Sequence, residues 1–280
     1  MPLSSGFATV VFGLSSAVSF GTSDFSGGIA SKRAQVFGVL TVARFCGLVM
    51  SVALAVLTRE PLPSGRSVVW ACAAGVAGGL ALPAFYRALA IGKMGIAAPV
   101  TSVLSAALPV VAAAFTEGLP GGIQVAGLLL GISALWFISR PEGKVRPEGL
   151  GLALLAGVGF GSFLVFIHQA GAGGVYWPMA AVLAVAFVVS AGILGLQQGR
   201  LPGLRVLPLV AVAGVLDTFG NVFFLLAGRH GRLDVAAVLS SLYPAVTVLL
   251  ARVILRERIT RLQAAGITAA LIAVPLIAAR

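Results

Sequence analysis

Charge is scarce in this 280-residue chain. Asp, Glu, Lys and Arg together make up 10% of it, against about 25% in a soluble globular domain. Such a composition cannot clothe a soluble fold of this size in polar surface. Cysteine is nearly absent as well. Cys46 and Cys72 both lie inside apolar runs, which excludes a disulfide framework or zinc-ligand spacing and leaves two small hydrophobes. The two histidines, His168 and His230, stand near the ends of apolar runs without metal-ligand company. There is no HExxH, phosphate-binding glycine loop, GxSxG or carboxylate cluster. Nothing argues for catalysis, and no cofactor or metal is expected.

What is abundant is apolar sequence. Hydrophobic residues make up 59% of the chain and the mean hydropathy is +1.07, which makes the bilayer the natural solvent. The net charge of +11 does not point to nucleic acid. Its Lys and Arg residues sit singly or in short groups between apolar runs, where loop charges set topology and meet anionic lipid headgroups.

A helix needs about 20 apolar residues to cross the hydrocarbon core. Reading for such runs between charged or Pro/Gly breaks predicts ten spans, at 5–28, 36–57, 68–91, 95–115, 121–139, 149–168, 176–197, 206–228, 234–254 and 262–279. The most polar break, Arg140 to Glu148, is the natural joint between two halves. Basic residues do not precede the first run, and it leads into further spans, so a cleaved signal peptide is not expected.

The halves repeat. Val100-Thr-Ser-Val-Leu-Ser-Ala-Ala-Leu-Pro109 is echoed by Val235-Ala-Ala-Val-Leu-Ser-Ser-Leu-Tyr-Pro244, with five of ten positions identical. In the same order, Phe20-Gly21 recurs as Phe160-Gly161, Glu117 as Glu257, Gln124-Val-Ala-Gly127 as Gln263-Ala-Ala-Gly266, and Arg140 as Arg280. Five spans per half is an odd number, so the second half enters the membrane from the opposite side. The expected fold is therefore an all-α integral membrane protein with ten transmembrane helices in two inverted five-helix repeats, 1–141 and 148–280. Such repeats point to a transporter with its site near the midplane, between the halves.

Charges in mid-span cost at least about 2.5–3.5 kcal/mol on insertion scales, so each needs a reason. Four stand out: Asp24, Arg44, Arg87 and Asp217. Two acids and two bases would leave a roughly neutral, self-paired cavity. Asn221 shares a helix face with Asp217, and Gly214 on the same side admits a substrate or a neighbouring helix. Asp24 falls in Gly21-Thr-Ser-Asp-Phe-Ser26, with Ser15, Ser19, Thr22 and Ser26 on roughly the opposite face. Arg44 offers a fork suited to a carboxylate or phosphate, or a partner for Asp24 or Asp217. Arg87 is nearer its span end, where a long side chain snorkels to the interface. In the repeated segments Thr101, Ser102 and Ser105 answer Ser240, Ser241 and Tyr243, and Pro109 and Pro244 each free a carbonyl one turn earlier. Ser105, Ser240 and Tyr243 join the candidates. Glu117 and Glu257 read as helix-end and loop charges.

The ordering of these spans, with Phe20-Gly-Thr-Ser-Asp-Phe25 in span 1, Leu239-Ser-Ser-Leu-Tyr-Pro244, Leu255-Arg-Glu257 and Gln263-Ala-Ala-Gly266, resembles the EamA-type members of the drug/metabolite transporter superfamily. The second half matches better. In the first, Phe20 replaces the family's usual Trp, and Glu117-Gly-Leu-Pro120 lacks the following basic residue. The resemblance implies a multi-pass inner-membrane carrier of small metabolites, often an exporter of amino acids or related compounds, with both termini in the cytoplasm. Loop charge gives the opposite orientation, because the loops after spans 1, 3, 5, 7 and 9 are richer in Lys and Arg.

The expected partners are a small-molecule substrate, membrane lipid and a coupling proton. Arg44 would draw a carboxylate, while Asp217 with Asn221 would meet an amine or carry the proton. An organic-anion or phosphate-ester exchanger would need both arginines in the cavity. A multidrug exporter of lipophilic cations would need the acids there and the arginines elsewhere. A solid core at the midplane would instead indicate a non-transporting scaffold.

Overall fold

The computed structural model describes residues 5–91, 94–139, 149–256 and 260–278. The Arg140 to Glu148 joint, the Gly92-Lys93 break, Glu257 and Arg280, and the side chains of Tyr86 and Ser102, lie outside the described residues.

Among the described residues every regular element is an α-helix. A helix satisfies its own backbone N–H and C=O groups, as a lipid-facing segment must. The first half forms α1 (Ser5–Ser31), α2 (Val36–Leu57), α3 (Gly65–Ile91), α4 (Met94–Thr116) and α5 (Gly122–Ser139). The second forms α6 (Leu150–Ala170), α7 (Tyr176–Leu196), α8 (Leu207–His230), α9 (Leu233–Ser240), α10 (Tyr243–Ile254) and α11 (Arg261–Ala278). Seven stretches are long and apolar enough to cross a membrane, α9 and α10 counting together as Leu233–Ile254, while Val103–Thr116, Gly122–Ile138 and Arg261–Ile277 are shorter apolar helices. The chain is a multi-pass membrane protein.

The predicted span 234–254 is not one helix. It breaks at Ser241 and Leu242, where the Leu242 N–H turns back to the carbonyl of Leu239 at 3.2 Å. Pro244 has no N–H to offer the carbonyl of Ser240. Its counterpart Pro109 sits in α4, which runs on to Thr116. The repeated sequence therefore takes two different forms. All eight residues of α9 are buried. It sits between two cores, giving Leu233, Ala236 and Ala237 to the one built mainly on α6, α7 and α8, and Val235, Val238 and Leu239 to the one on α5 and α11. A short helix whose faces are mostly apolar all round is stable when enclosed in this way, with its Asp234 satisfied by Arg232.

The main packing partners lie in opposite halves. α1 lies along α8 and α3 along α6; α2 meets α7 and α8, α7 meets α2 and α3; α4 packs on α6, α9 and α10 on α1, and α5 on α11. Buried serines fasten α1 to α8: Ser16 Oγ donates to the carbonyl of Gly220 and Ser23 Oγ to that of Ala213, both at 2.7 Å. The serine face read from the sequence is not the one that makes these bonds, since Thr22 donates to Val18 of its own helix. Small residues and hydroxyl bonds are the usual adhesives where apolar burial gives no preference over lipid.

One end of the bundle is laced by ionic hydrogen bonds. The Glu60 carboxylate, between α2 and α3, accepts the N–H groups of Tyr176 at 2.9 Å and Trp177 at 2.8 Å and also that of Val175. An anion at a helix N-terminus meets unpaired N–H groups and the positive end of the dipole. Glu60→Ala is expected to destabilise the protein by about 1–2 kcal/mol, read as a lower unfolding midpoint in detergent, with Glu60→Gln losing less. At the same end Arg229 donates to the carbonyl of Gly171. Arg232 donates to the carbonyls of Glu117 and Gly118 and pairs with the fully buried Asp234 at 2.9 Å. The Glu117 carboxylate accepts the Leu233 N–H at 3.2 Å, and burial pushes its carboxyl above the usual glutamate range.

Candidate functional site

Asp217 stands near the middle of α8, and Arg44 near the middle of α2. The Arg44 guanidinium donates to the Asp217 carboxylate at 2.6 Å, with each side chain 27% exposed. Gly214, one turn before Asp217, makes the reach possible. A Cβ there would run into the backbone carbonyl of Ala43, the residue preceding Arg44. The space that glycine leaves is occupied by the α2 backbone rather than by a substrate.

The pair lies on the wall of a cavity of about 490 Å³, within the usual range for small-molecule sites. Residues of α1, α2, α3, α4, α6, α8 and the α9–α10 break bound it. Asp24, Arg44, Asp217 and Asn221 line the cavity from α1, α2 and α8. Ser105 lines it from α4, and Ser240 and Tyr243 from either side of the break. The wall runs from mid-helix to Ser31 and Val36 at the α1–α2 turn, the end opposite the laced rim.

Arg87 is exposed on α3 and forms no part of the wall. This corrects the charge balance drawn from the sequence. The cavity holds two acids and one base, so with all three ionised it carries one net negative charge. Asp24 lies well inside α1, which continues to Ser31, three residues beyond the predicted end. Its carboxylate is exposed to the cavity, makes no hydrogen bond among the described residues, and interacts electrostatically with both Arg44 and Asp217. Arg44, expected to await a substrate carboxylate, already holds Asp217. Asn221 supports Asp217 through its backbone, the amide Nδ2 donating to the Asp217 carbonyl at 2.9 Å.

Sequence reasoning missed the aromatic part of the wall. Phe20 meets Tyr243 edge-on with ring centres 6.2 Å apart, and Phe85 meets Phe160 in the same way at 6.2 Å. Phe163 joins them. The duplicated Phe-Gly pairs carried the signal. In each half Phe faces the cavity while the next glycine packs on the repeated segment. A Cβ on Gly21 would lie 2.6 Å from the Tyr243 carbonyl oxygen, and one on Gly161 would lie 2.8 Å from Leu108 Cβ. Among the described residues no His, Cys, Asp and Glu group could hold a metal ion.

Comparison with known proteins assigns the second half. Residues 147–279 match the EamA-like transporter family. That stretch is similar to an EamA domain. A crystal structure described only as that of a protein superposes on 96% of this chain and 95% of its own, with a TM-score of 0.77 and 19% sequence identity. That likeness shows the fold. A search of curated protein sequences finds no match. The matched stretch supplies Asp217, Asn221, Ser240 and Tyr243, while Asp24, Arg44 and Ser105 come from the half that the family match leaves out. EamA-like proteins are named as transporters, and a cavity with charged side chains at mid-helix is not the solid core expected of a scaffold.

Proposed function

We propose that this protein is a secondary transporter of a small polar metabolite, an amino acid or related compound, exporting it across an inner membrane by alternating access. The observation that carries the reading is the cavity itself: both halves line it, and it holds three ionisable groups, Asp24, Arg44 and Asp217, at mid-helix depth. Its wall reaches one end of the bundle while ionic hydrogen bonds close the other, as in a carrier caught open to one side. The pairing of α1 with α8 and α3 with α6 is the pattern that two inverted five-helix repeats, 1–141 and 148–280, would produce. With both termini in the cytoplasm, the α1–α2 end of the cavity opens outward.

An organic-anion exchanger is the weaker reading, because Arg87 is outside the wall and Arg44 is engaged. Asp24, unpaired beside an ion pair, is the better proton carrier: its protonation removes the net negative charge without breaking the Arg44–Asp217 bond. In proteoliposomes loaded with a panel of amino acids, Asp24→Asn is expected to reduce proton-driven flux at least about tenfold and counterflow, which needs no net proton movement, by distinctly less. Proton-driven flux at the wild-type rate in that variant would overturn the assignment.

A further inference from the structure

Two buried oxygen atoms on the cavity wall have no hydrogen-bond partner: Asn221 Oδ1 on α8 and Ser240 Oγ at the end of α9. Each residue is 2% exposed. The orientation of the amide follows from its surroundings. A carbonyl oxygen can only accept, so the bond to the Asp217 carbonyl requires the Asn221 nitrogen there and turns Oδ1 away from it. Pro244 deprives the Ser240 carbonyl of its helical donor, leaving a further acceptor at the same residue. Buried polar atoms without partners are uncommon and destabilising, and Ser240 stands where a transmembrane helix is interrupted, the place where transporters of other folds bind their ligands.

We propose that Asn221 and Ser240 form an ammonium subsite, so that the substrate must present a protonated primary amine. This inference rests on the transport reading and narrows its substrate class. A primary ammonium brings three N–H donors, for which the amide oxygen is an acceptor only and the serine hydroxyl can also accept. Asp24, a carboxylate on the wall of the same cavity, supplies the charge, and Phe20 and Tyr243 supply faces for an apolar or aromatic body. Both acceptor atoms are shut from the cavity in this state. The amine reaches them as the α9–α10 break parts from α8, which ties recognition of the substrate to movement of the broken helix.

The test uses the purified full-length protein and three probes of one shape: phenethylamine, its N,N,N-trimethyl derivative, and 3-phenylpropionate. Phenethylamine is expected to raise the unfolding midpoint and to bind at least roughly tenfold more tightly than the trimethyl compound, which keeps the charge but has no N–H. Asn221→Leu and Ser240→Ala should each erase that preference. Ser240→Ala, which removes one oxygen, decides the matter if Asn221→Leu does not fold. Equal binding of the trimethyl compound, tighter binding of 3-phenylpropionate, stabilisation by sodium alone, or no binding of phenethylamine overturns the subsite. Counterflow in proteoliposomes separates the two readings. Amine-selective binding without counterflow of any amine sinks transport and leaves the subsite. Counterflow of other solutes with no amine preference does the reverse.

Discussion

Replacing Arg44 by leucine is expected to stop transport and to lower the unfolding midpoint, whereas Arg44→Leu/Asp217→Leu should recover much of the midpoint and none of the transport. The single substitution leaves the Asp217 carboxylate without its 2.6 Å partner. Removing one member of a fully buried pair costs about 3–5 kcal/mol, and replacing both by apolar residues is often neutral. Both side chains here are 27% exposed to the cavity, so water screens the survivor and the cost falls to roughly 1–3 kcal/mol. The double variant keeps no unpaired charge at the pair, which separates fold from function: stability returns because the desolvation problem at the pair is gone, and transport does not because Asp24 alone is left, with no ion pair to exchange partners with a substrate. Thermal unfolding in detergent and counterflow in vesicles read the two effects. An Arg44→Leu protein with the wild-type midpoint would show that the pair carries no structural weight.

Gly214→Val should be more damaging to the fold. The atoms that its Cβ would meet belong to the backbone of Ala43, and a backbone inside a packed helix cannot rotate aside as a flexible side chain can. Overpacking typically costs about 1–3 kcal/mol, and more where backbone has to move. It also pushes α8 from α2 and draws Arg44 away from Asp217, so transport falls with stability. Gly192→Ala on α7 is the control. A Cβ there meets nothing within 4 Å, and alanine favours the helix slightly. Equal midpoints for the Gly214 and Gly192 variants would contradict the close crossing.

The positions of the helices were legible because membrane spans announce themselves by length and apolarity, and the breaks between them carry the charges. The α9–α10 interruption was less so. Pro244 and Pro109 occupy matching places in the repeat, yet a proline in α4 is absorbed and the one after Ser241 is not. The outcome depends on what encloses each helix, a tertiary matter. In the site, rarity worked well: a charge in mid-span is costly enough to need a purpose, and Asp24, Arg44 and Asp217 share one cavity. It failed for Arg87, since a long side chain can carry its charge out along the helix to solvent. Which acid would hold Arg44, and that the acids outnumber the bases in the cavity, could not be read from spacing along the chain. Those depend on how closely α2 approaches α8, and hence on the glycines at their crossing, Gly214 and Gly47. The phenylalanines were overlooked because aromatic residues in an apolar chain attract no notice until their neighbours in space are known.

The laced rim has a kinetic meaning. Under alternating access, the bonds that Glu60, Arg229 and Arg232 make across loops must pass to water once in every cycle. They are charge-assisted and several share one side chain, so they cannot be released one at a time at little cost. If the chain works by alternating access, reopening of this end would be the slow step of its cycle. Turnover would follow temperature steeply and depend little on which substrate is aboard, with the rim, remote from the cavity, acting as the clock of the cycle.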